Sequence, residues 1–238
     1  MGRRRLPMSA RTRASSALAF RRRPPYHLRA ETLKFATGSL VSSWTDPDSK
    51  TTVSQSQSLF SPILRLNAIN GRPALLFKTK QQLIGPSPFG KTTTITVMAV
   101  VKTGPKFDTV FRAIFALWQG GEKWWFGAVT RKFVAFTANN SYKAMDSAAF
   151  TLDAAYVVTF TSSFKSGAHV YKNGKQVGST TFVIPAPSGP KDFGIGGKAN
   201  GSSDSWDGHI AEVVAWSTVL STSQRQVAEA CLMKKYGL

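Results

Sequence analysis

Cysteine is nearly absent from this 238-residue chain, because Cys231 is the only one. An intrachain disulfide is therefore impossible, which excludes a small secreted module stapled by disulfides. Long apolar runs are missing as well, since no stretch approaches the ~20 consecutive apolar residues that a membrane-spanning helix needs. We therefore expect a chain with no membrane span.

Acidic residues are scarce and unevenly placed. The chain has 31 Lys and Arg against 12 Asp and Glu, a net charge of +19. The first acid is Glu31, and none lies between Asp48 and Asp108. A balance this basic favours polyanionic partners such as nucleic acid, anionic lipid or acidic glycans.

Motifs of catalysis are also missing. The chain has no Gly-x-Ser-x-Gly, His-Glu-x-x-His, P-loop or Cys-x-x-Cys sequence. Some glycosidases hold neighbouring carboxylates in one cleft, but no glutamate of this chain has a second acid within four residues: Glu31, Glu122, Glu212 and Glu229. The three histidines are isolated in strand-like contexts and are expected to be structural: His27, His169 and His209. We expect no enzymatic activity and no cofactor.

Arginine is concentrated at the N-terminus. Eight arginines precede the helix-stopping pair Pro24-Pro25 and form the predicted polyanion-binding residues: Arg3, Arg4, Arg5, Arg11, Arg13, Arg21, Arg22 and Arg23. We interpret residues 1–25 as a basic arm and residues 26–238 as one folded domain.

Short β-branched and aromatic runs separated by turn residues fill the rest of the chain. The clearest strand is Thr92–Lys102, and Asn173-Gly174 predicts a type I′ hairpin turn. Further strands are predicted at Pro73–Lys78, Thr109–Trp118, Lys123–Thr130, Lys132–Thr137, Ala154–Thr161, Thr180–Ile184, Asp192–Ile195 and Ile210–Trp216. Strands at this spacing indicate an antiparallel sandwich.

A helix is predicted to follow the last strand. Ser221-x-x-Gln224 has the pattern of a capping box, and Gly237 is placed as a C-terminal cap. Val227, Cys231 and Leu232 are predicted to share the face that packs on the sandwich.

An ordered set of motifs resembles one known family. The set comprises Val41-x-x-Trp44-x-Asp46, Asn70-Gly71-x-Pro73-Ala74-Leu75-x-Phe77, Tyr171-x-Asn173-Gly174-Lys175, Ile195-Gly196-Gly197 and Asp207-Gly208-x-Ile210-Ala211-Glu212. Over residues 26–238 the chain resembles the concanavalin A-like (LamG-type) family. The resemblance implies an all-β fold, an antiparallel two-sheet jelly-roll sandwich with a C-terminal α-helix, here with a basic N-terminal arm.

Calcium and sugar sites of the type found in such domains are weakly supported by the residues. The loop after Asp46 continues with Lys50 where the family commonly has glycines, so no metal is expected there. Asp204 and Asp207 have a spacing that calcium ligands use, but turn chemistry explains them better. Three tryptophans are expected to fill the core and not to stack on sugars: Trp118, Trp124 and Trp125.

Three functions fit these features. The first is a non-enzymatic structural virion protein, a capsid shell or decoration protein whose arm binds nucleic acid or another polyanion and whose domain contacts further copies or other virion subunits. The second is a carbohydrate-binding, lectin-like module at an extracellular surface, with a glycan as partner. The third is an organelle-targeted interaction module whose arm is a cleaved transit peptide.

The arm yields a prediction about salt. Eight arginines neutralise about eight phosphates, so binding to duplex DNA should show a log–log salt slope near −7 and weaken roughly 10⁴-fold from 50 to 200 mM salt. Fluorescence anisotropy on residues 1–238 measures this slope, with residues 24–238 as control. Equal slopes for the two chains would show that the arm does not bind DNA.

Overall fold

The computed structural model describes residues 24, 26–87, 89, 92, 94–105, 107, 110–119, 122–137, 142–163, 166–181, 192–199 and 204–238. Within these residues the elements run in chain order β1 Tyr26–Arg29, β2 Ser43–Thr45, β3 Thr52–Ser54, β4 Ile63–Ile69, β5 Arg72–Phe77, β6 Leu83–Pro86, β7 Ile95–Thr103, β8 Arg112–Gln119, β9 Glu122–Val129, β10 Lys132–Thr137, β11 Tyr142–Met145, β12 Ala155–Ser163, β13 Gly167–Lys172, β14 Lys175–Thr180, β15 Asp192–Ile195, β16 Gly208–Trp216 and helix α1 Thr222–Tyr236. Two single-turn 3₁₀ helices lie at Ala30–Thr32 and Ser58–Phe60.

The strands form two antiparallel sheets that face each other. Sheet A has the order β14-β13-β12-β7-β16-β5-β4, with β1 also paired to β16. Sheet B has the order β11-β10-β9-β8-β15-β6-β3-β2. The long central strand β7 pairs β12 on one side and β16 on the other, so its side chains are nearly all buried. The predicted all-β, two-sheet sandwich with a C-terminal helix is confirmed.

Aromatic rings fill the space between the sheets. Phe126 of sheet B stacks on Phe160 of sheet A at 5.1 Å between ring centroids. Tyr26 of β1 meets Phe193 of β15 edge-on at 5.0 Å, so the first strand is tied to the opposite sheet. Trp124 and Trp206 are fully buried in the same cluster. Burying rings of this size supplies a large share of the apolar area that stabilises a sandwich.

Helix α1 begins and ends as the sequence predicts. The Ser221 hydroxyl accepts from the Gln224 backbone N–H, and the Gln224 side chain accepts from the Ser221 N–H, which completes a capping box. At the other end Gly237 has a φ of 65°, the left-handed conformation that favours glycine.

The packing face of α1 differs from the prediction. Leu232 is buried against the outer face of sheet A, together with Ala228 and Tyr236. Val227, however, is 50% exposed, so its predicted packing is wrong. The docked face also contains the buried Arg225–Glu229 ion pair. Apolar periodicity misplaced the helix face because two of its inward positions are charged.

The strand predictions mostly hold, and their misses are informative. β10 and β15 have the predicted bounds, and the Asn173-Gly174 hairpin joins β13 to β14. The predicted strand Thr180–Ile184 falls largely outside the described residues. The sequence patterns do not predict four of the strands, β3, β4, β6 and β11. Three of these strands, β3, β6 and β11, are only three or four residues long, and β4 contains Arg and Asn within an apolar run.

The helix contact gives a stability prediction. Leu232→Ala removes a side chain that is 2% exposed and should lower the free energy of unfolding by about 3 kcal/mol. Val227→Ala, on the same helix but 50% exposed, should change it by less than about 0.5 kcal/mol. Urea unfolding of both variants measures the difference. Equal losses would show that the helix docks by another face.

Candidate functional site

An open groove lies on the outer face of sheet B. Ser54, Ile84, Gly194, Ala116 and Trp125 are directly opposed in successive strands, so their side chains lie in one row on this face. The row passes from an exposed serine on β3 to a buried tryptophan on β9. Its two ends therefore have different chemistry.

The groove lies at the β3 end of this row. It has a volume of about 370 Å³ and is lined by Thr52, Ser54, Gln55, Ser56, Ile84, Gly85, Pro86 and Asp192. Hydroxyl, amide and carboxyl groups make up most of the wall, and Ile84 and Pro86 supply apolar surface. This composition offers both donors and acceptors at an open surface.

Hydrogen bonds position the polar wall. The Gln55 amide donates to the Gln82 carbonyl oxygen at 3.3 Å, while its side-chain oxygen accepts from the Gln57 N–H at 3.1 Å. The hydroxyls of Thr45 and Thr52 lie 2.8 Å apart across β2 and β3. These contacts restrict the rotamers of the wall before any ligand binds, which lowers the entropy cost of binding.

The other end of the row is closed. A Cβ on Gly194 would lie 2.2 Å from the Gly197 carbonyl oxygen, so glycine is what lets the segment after β15 fold back over this face. That segment places the Lys198 ammonium 5.0 Å from the ring centre of Trp125 and in an ion pair with Asp204. Trp125 is consequently 1% exposed.

The prediction that these tryptophans fill the sandwich core is confirmed for Trp124, whereas Trp125 is buried outside the core. Trp124 lies in the core between the sheets, and Trp125 is buried on the outer face of sheet B against Phe111. The side chain of Trp118 is outside the described part. Neither described tryptophan offers an exposed ring for stacking on a sugar.

Asp46 is a structural residue. Its carboxylate accepts from the backbone N–H groups of Asp48 and Ser49 at 2.8 and 2.9 Å, and from Arg29 Nε at 2.9 Å. Asp48 binds the same guanidinium at 2.6 Å. The oxygens of this turn are therefore already engaged by an arginine and by amides.

The second possible calcium position is occupied by a cation of the chain itself. Asp204 pairs with Lys198, and its backbone carbonyl accepts from the Ala113 N–H at 2.8 Å. In the described ranges no three His, Cys, Asp or Glu side chains are grouped as metal ligands would be.

Among the described carboxyl groups, Glu212 has the most strongly shifted pKa, and its partners are structural. It contacts His27 Nε2 at 2.5 Å, Lys235 Nζ at 2.6 Å and the Tyr236 hydroxyl at 3.0 Å. Burial raises the pKa of Glu212, but the Lys235 charge and the His27 contact outweigh it and lower that pKa to about 2. Lys235 also binds Glu31 at 2.8 Å. The cluster joins β1, β16 and α1.

The histidines are placed separately. His27 belongs to the Glu212 cluster, the His169 ring contacts the Ser166 carbonyl oxygen at 3.0 Å, and His209 lies on the outer face of sheet A.

The eight arginines of the predicted polyanion site lie outside the described residues, so their role stays a prediction. No described helix is long and apolar enough to cross a membrane.

Comparison with known families identifies the fold. The model described as the concanavalin A-like lectin/glucanases superfamily matches residues 78–224, more than half of the chain. The chain therefore belongs to this superfamily. No curated protein sequence matches the chain.

Solved structures extend the match to most of the chain. Trypanosoma rangeli sialidase is 16% identical, with a TM-score of 0.63 over 95% of this chain, and this match covers 38% of the sialidase chain. Domain 4 of AbnA, a GH43 extracellular arabinanase from Geobacillus stearothermophilus in complex with arabinotriose, is 12% identical, with a TM-score of 0.61 over 88% of this chain and 98% of that domain. The botulinum neurotoxin serotype D binding domain is 13% identical with a TM-score of 0.54, over 82% of this chain and 51% of that one. At these identities the likeness establishes the fold.

The primary function predicted from the sequence is wrong. A structural virion protein, a capsid shell or decoration protein, was inferred from a basic arm joined to a compact β-domain. The solved structures that share this fold include sialidases and an arabinanase domain, and they fit the carbohydrate-binding alternative better. The arm misled because its charge indicates a polyanionic partner without indicating what the folded domain does.

The Glu212 cluster predicts an acid-sensitive fold. Because the pKa falls from 4.5 to about 2 on folding, the ionised carboxyl stabilises the protein above pH 4.5, and this contribution is lost as the pH drops towards 2. The shift corresponds to about 3 kcal/mol. Thermal melts of Glu212→Gln from pH 7 to 2 should show a reduced Tm at pH 7 and a flatter pH dependence. Asp48→Asn removes an exposed ion pair and should show the same dependence of Tm on pH as the unmodified chain. If Glu212→Gln also showed that dependence, the acid sensitivity would not arise from Glu212.

Proposed function

We propose that this member of the concanavalin A-like superfamily is a non-catalytic carbohydrate-binding module. The observation that supports this most directly is the open polar groove on the outer face of sheet B. Its wall combines side-chain hydroxyls, an amide and a carboxyl with the apolar surfaces of Ile84 and Pro86.

The groove suits a saccharide for physical reasons. A sugar has hydroxyls around its rim and apolar C–H faces, so it needs several fixed hydrogen-bonding groups and some apolar contact. Ser54 and Thr52 present hydroxyls on one strand, while Ile84 lies opposite Ser54 on β6. Because Gln55 is held by two hydrogen bonds, part of the wall is ordered in advance.

The arabinanase domain adds support from the comparison. The structure of that domain is a complex with arabinotriose, and nearly its whole length corresponds to this chain. A neutral oligosaccharide is therefore the ligand class that we propose for the groove. The sialidases correspond to only part of their own length, so their activity is not carried over.

The environment of the acids supports a non-catalytic role. Glycoside hydrolysis uses two carboxyl groups on either side of the scissile bond. Most described carboxylates are instead neutralised by cations of the chain: Asp46 and Asp48 by Arg29, Asp146 by Lys172, Asp204 by Lys198, Glu31 and Glu212 by Lys235, and Glu229 by Arg225. Asp192 is the one carboxyl among the described residues that line the groove.

The proposal is tested by blocking the groove. Calorimetry with arabinotriose and a glycan array identify a ligand for the unmodified chain. Ser54→Arg places a long side chain in the groove and should weaken that ligand at least tenfold. Ser179→Arg, also at an exposed serine on a strand but on edge strand β14 of sheet A, should leave affinity unchanged.

Two results would contradict the proposal. The first is the absence of binding to any array glycan by the folded chain. The second is equal weakening by Ser54→Arg and Ser179→Arg, which would assign the effect to added charge. Retention of glycan binding by residues 24–238 would further show that the arm is dispensable for it.

A further inference from the structure

Helix α1 leaves part of the outer face of sheet A uncovered. The helix packs over Ala74, Val100 and Ala211, and the next row of this face lies beside it. Direct cross-strand partners form that row in the order Leu40, Ile63, Leu76, His209, Lys102 and Ala155. Because directly opposed residues point to the same side of a sheet, these side chains line one strip.

The strip divides into an apolar half and a cationic half. Leu40 is 51% exposed, and Ile63 and Leu76 are half-buried. His209 and Lys102 follow on the two central strands, β16 and β7. Arg65 is exposed two residues beyond Ile63 on β4, and its charge acts on His209.

The two permanent cations of this strip are not among the cations that the domain holds in ion pairs. Six described cations are held in ion pairs: Arg29, Arg72, Lys172, Lys198, Arg225 and Lys235. Arg65 and Lys102 form none with any described residue. Asp153 is the acid whose charge reaches His209, yet its exposed side chain pairs with neither cation.

The surroundings of His209 leave one ring nitrogen without a partner and disfavour the charged form of the ring. Its Nδ1 atom is buried and has no hydrogen-bond partner in the described structure. Burial, followed by the positive charges of Lys102 and Arg65, lowers the pKa of His209 to about 4, although Asp153 acts in the opposite direction. An anion beside Lys102 and Arg65 would neutralise the excess positive charge that disfavours the imidazolium.

We propose that Arg65, Lys102 and His209 form an anion site for an organic oxyanion, a carboxylate or sulfate group on an apolar carbon skeleton. Arg65 and Lys102 attract the anion, the imidazole donates to it, and Leu76 and Ile63 contact the skeleton. Because α1 rises about 10 Å above the sheet beside the strip, a small ligand reaches these residues and a flat bilayer does not. This site is independent of the groove on sheet B.

The histidine itself reports on the site. In NMR titrations of the full chain, the binding of hexanoate should reach saturation. Bound hexanoate should raise the pKa of His209 by about one unit or more, because a bound anion favours the imidazolium. The resonances of His169 serve as the internal control. Hexanol, which lacks the charge, should leave the pKa of His209 unchanged.

Variants test which of the two cations bind the anion. Lys102→Gln and Arg65→Gln should each weaken hexanoate about tenfold at low salt, whereas Lys175→Gln, an exposed lysine on β14 of the same sheet, should not. Ser54→Arg should also leave hexanoate binding intact. Failure of the carbohydrate-binding proposal is thereby distinguishable from failure of this one.

Several results would overturn the inference. One is a His209 pKa that does not respond to hexanoate in the unmodified, folded chain. Another is an equal response to sodium chloride at the same ionic strength, which would mean general screening. Acetate or inorganic sulfate binding as tightly as hexanoate would contradict the contribution of Ile63 and Leu76. Unchanged affinity in Lys102→Gln would remove the charged centre of the site.

Discussion

The buried carboxylate of Glu212 is the interaction on which the arrangement of this domain depends. It lies on β16, and its partners come from β1 and α1, so one side chain joins the first described strand to the end of the chain. Removing a single partner would leave a charge in the interior, which costs far more than an exposed ion pair contributes. Burial of Tyr236, together with the negative charge of Glu212, raises the pKa of the Tyr236 hydroxyl, so it stays protonated and remains a donor.

The position of α1 determines which surfaces of sheet A are available. Arg225 stacks on the Tyr171 ring at 3.8 Å and donates to the Gly174 carbonyl oxygen, which ties the helix to the β13–β14 hairpin. Lys235 and Tyr236 hold its other end at Glu212. Held at both ends, the helix covers one band of the outer face and leaves the strip around His209 open.

The two outer faces of the sandwich consequently differ in chemistry. On sheet B the open region is lined by neutral polar groups with one carboxyl, while the tryptophan of the same row is covered by Lys198. On sheet A the open strip is cationic at one end and apolar at the other. A net charge of +19 describes neither surface, because much of it lies in an arm and many domain cations are paired.

Local signals in the sequence determined the elements of this protein. The capping box at Ser221, the turn at Asn173-Gly174 and the β-branched run of β7 act through neighbouring residues, so their structures follow from spacing alone. Family motifs in consistent order predicted how those elements assemble.

The functional surfaces were decided only by tertiary structure. Ser54 and Asp192 are 138 positions apart yet line one groove, and the charge of Arg65 acts on His209 because β4, β5 and β16 are successive strands of one sheet. Charged residues such as Arg225 and Glu212 lie on buried faces, where apolar periodicity does not predict them. Cross-strand register places such residues together, and register depends on the pairing of strands that are distant in the chain.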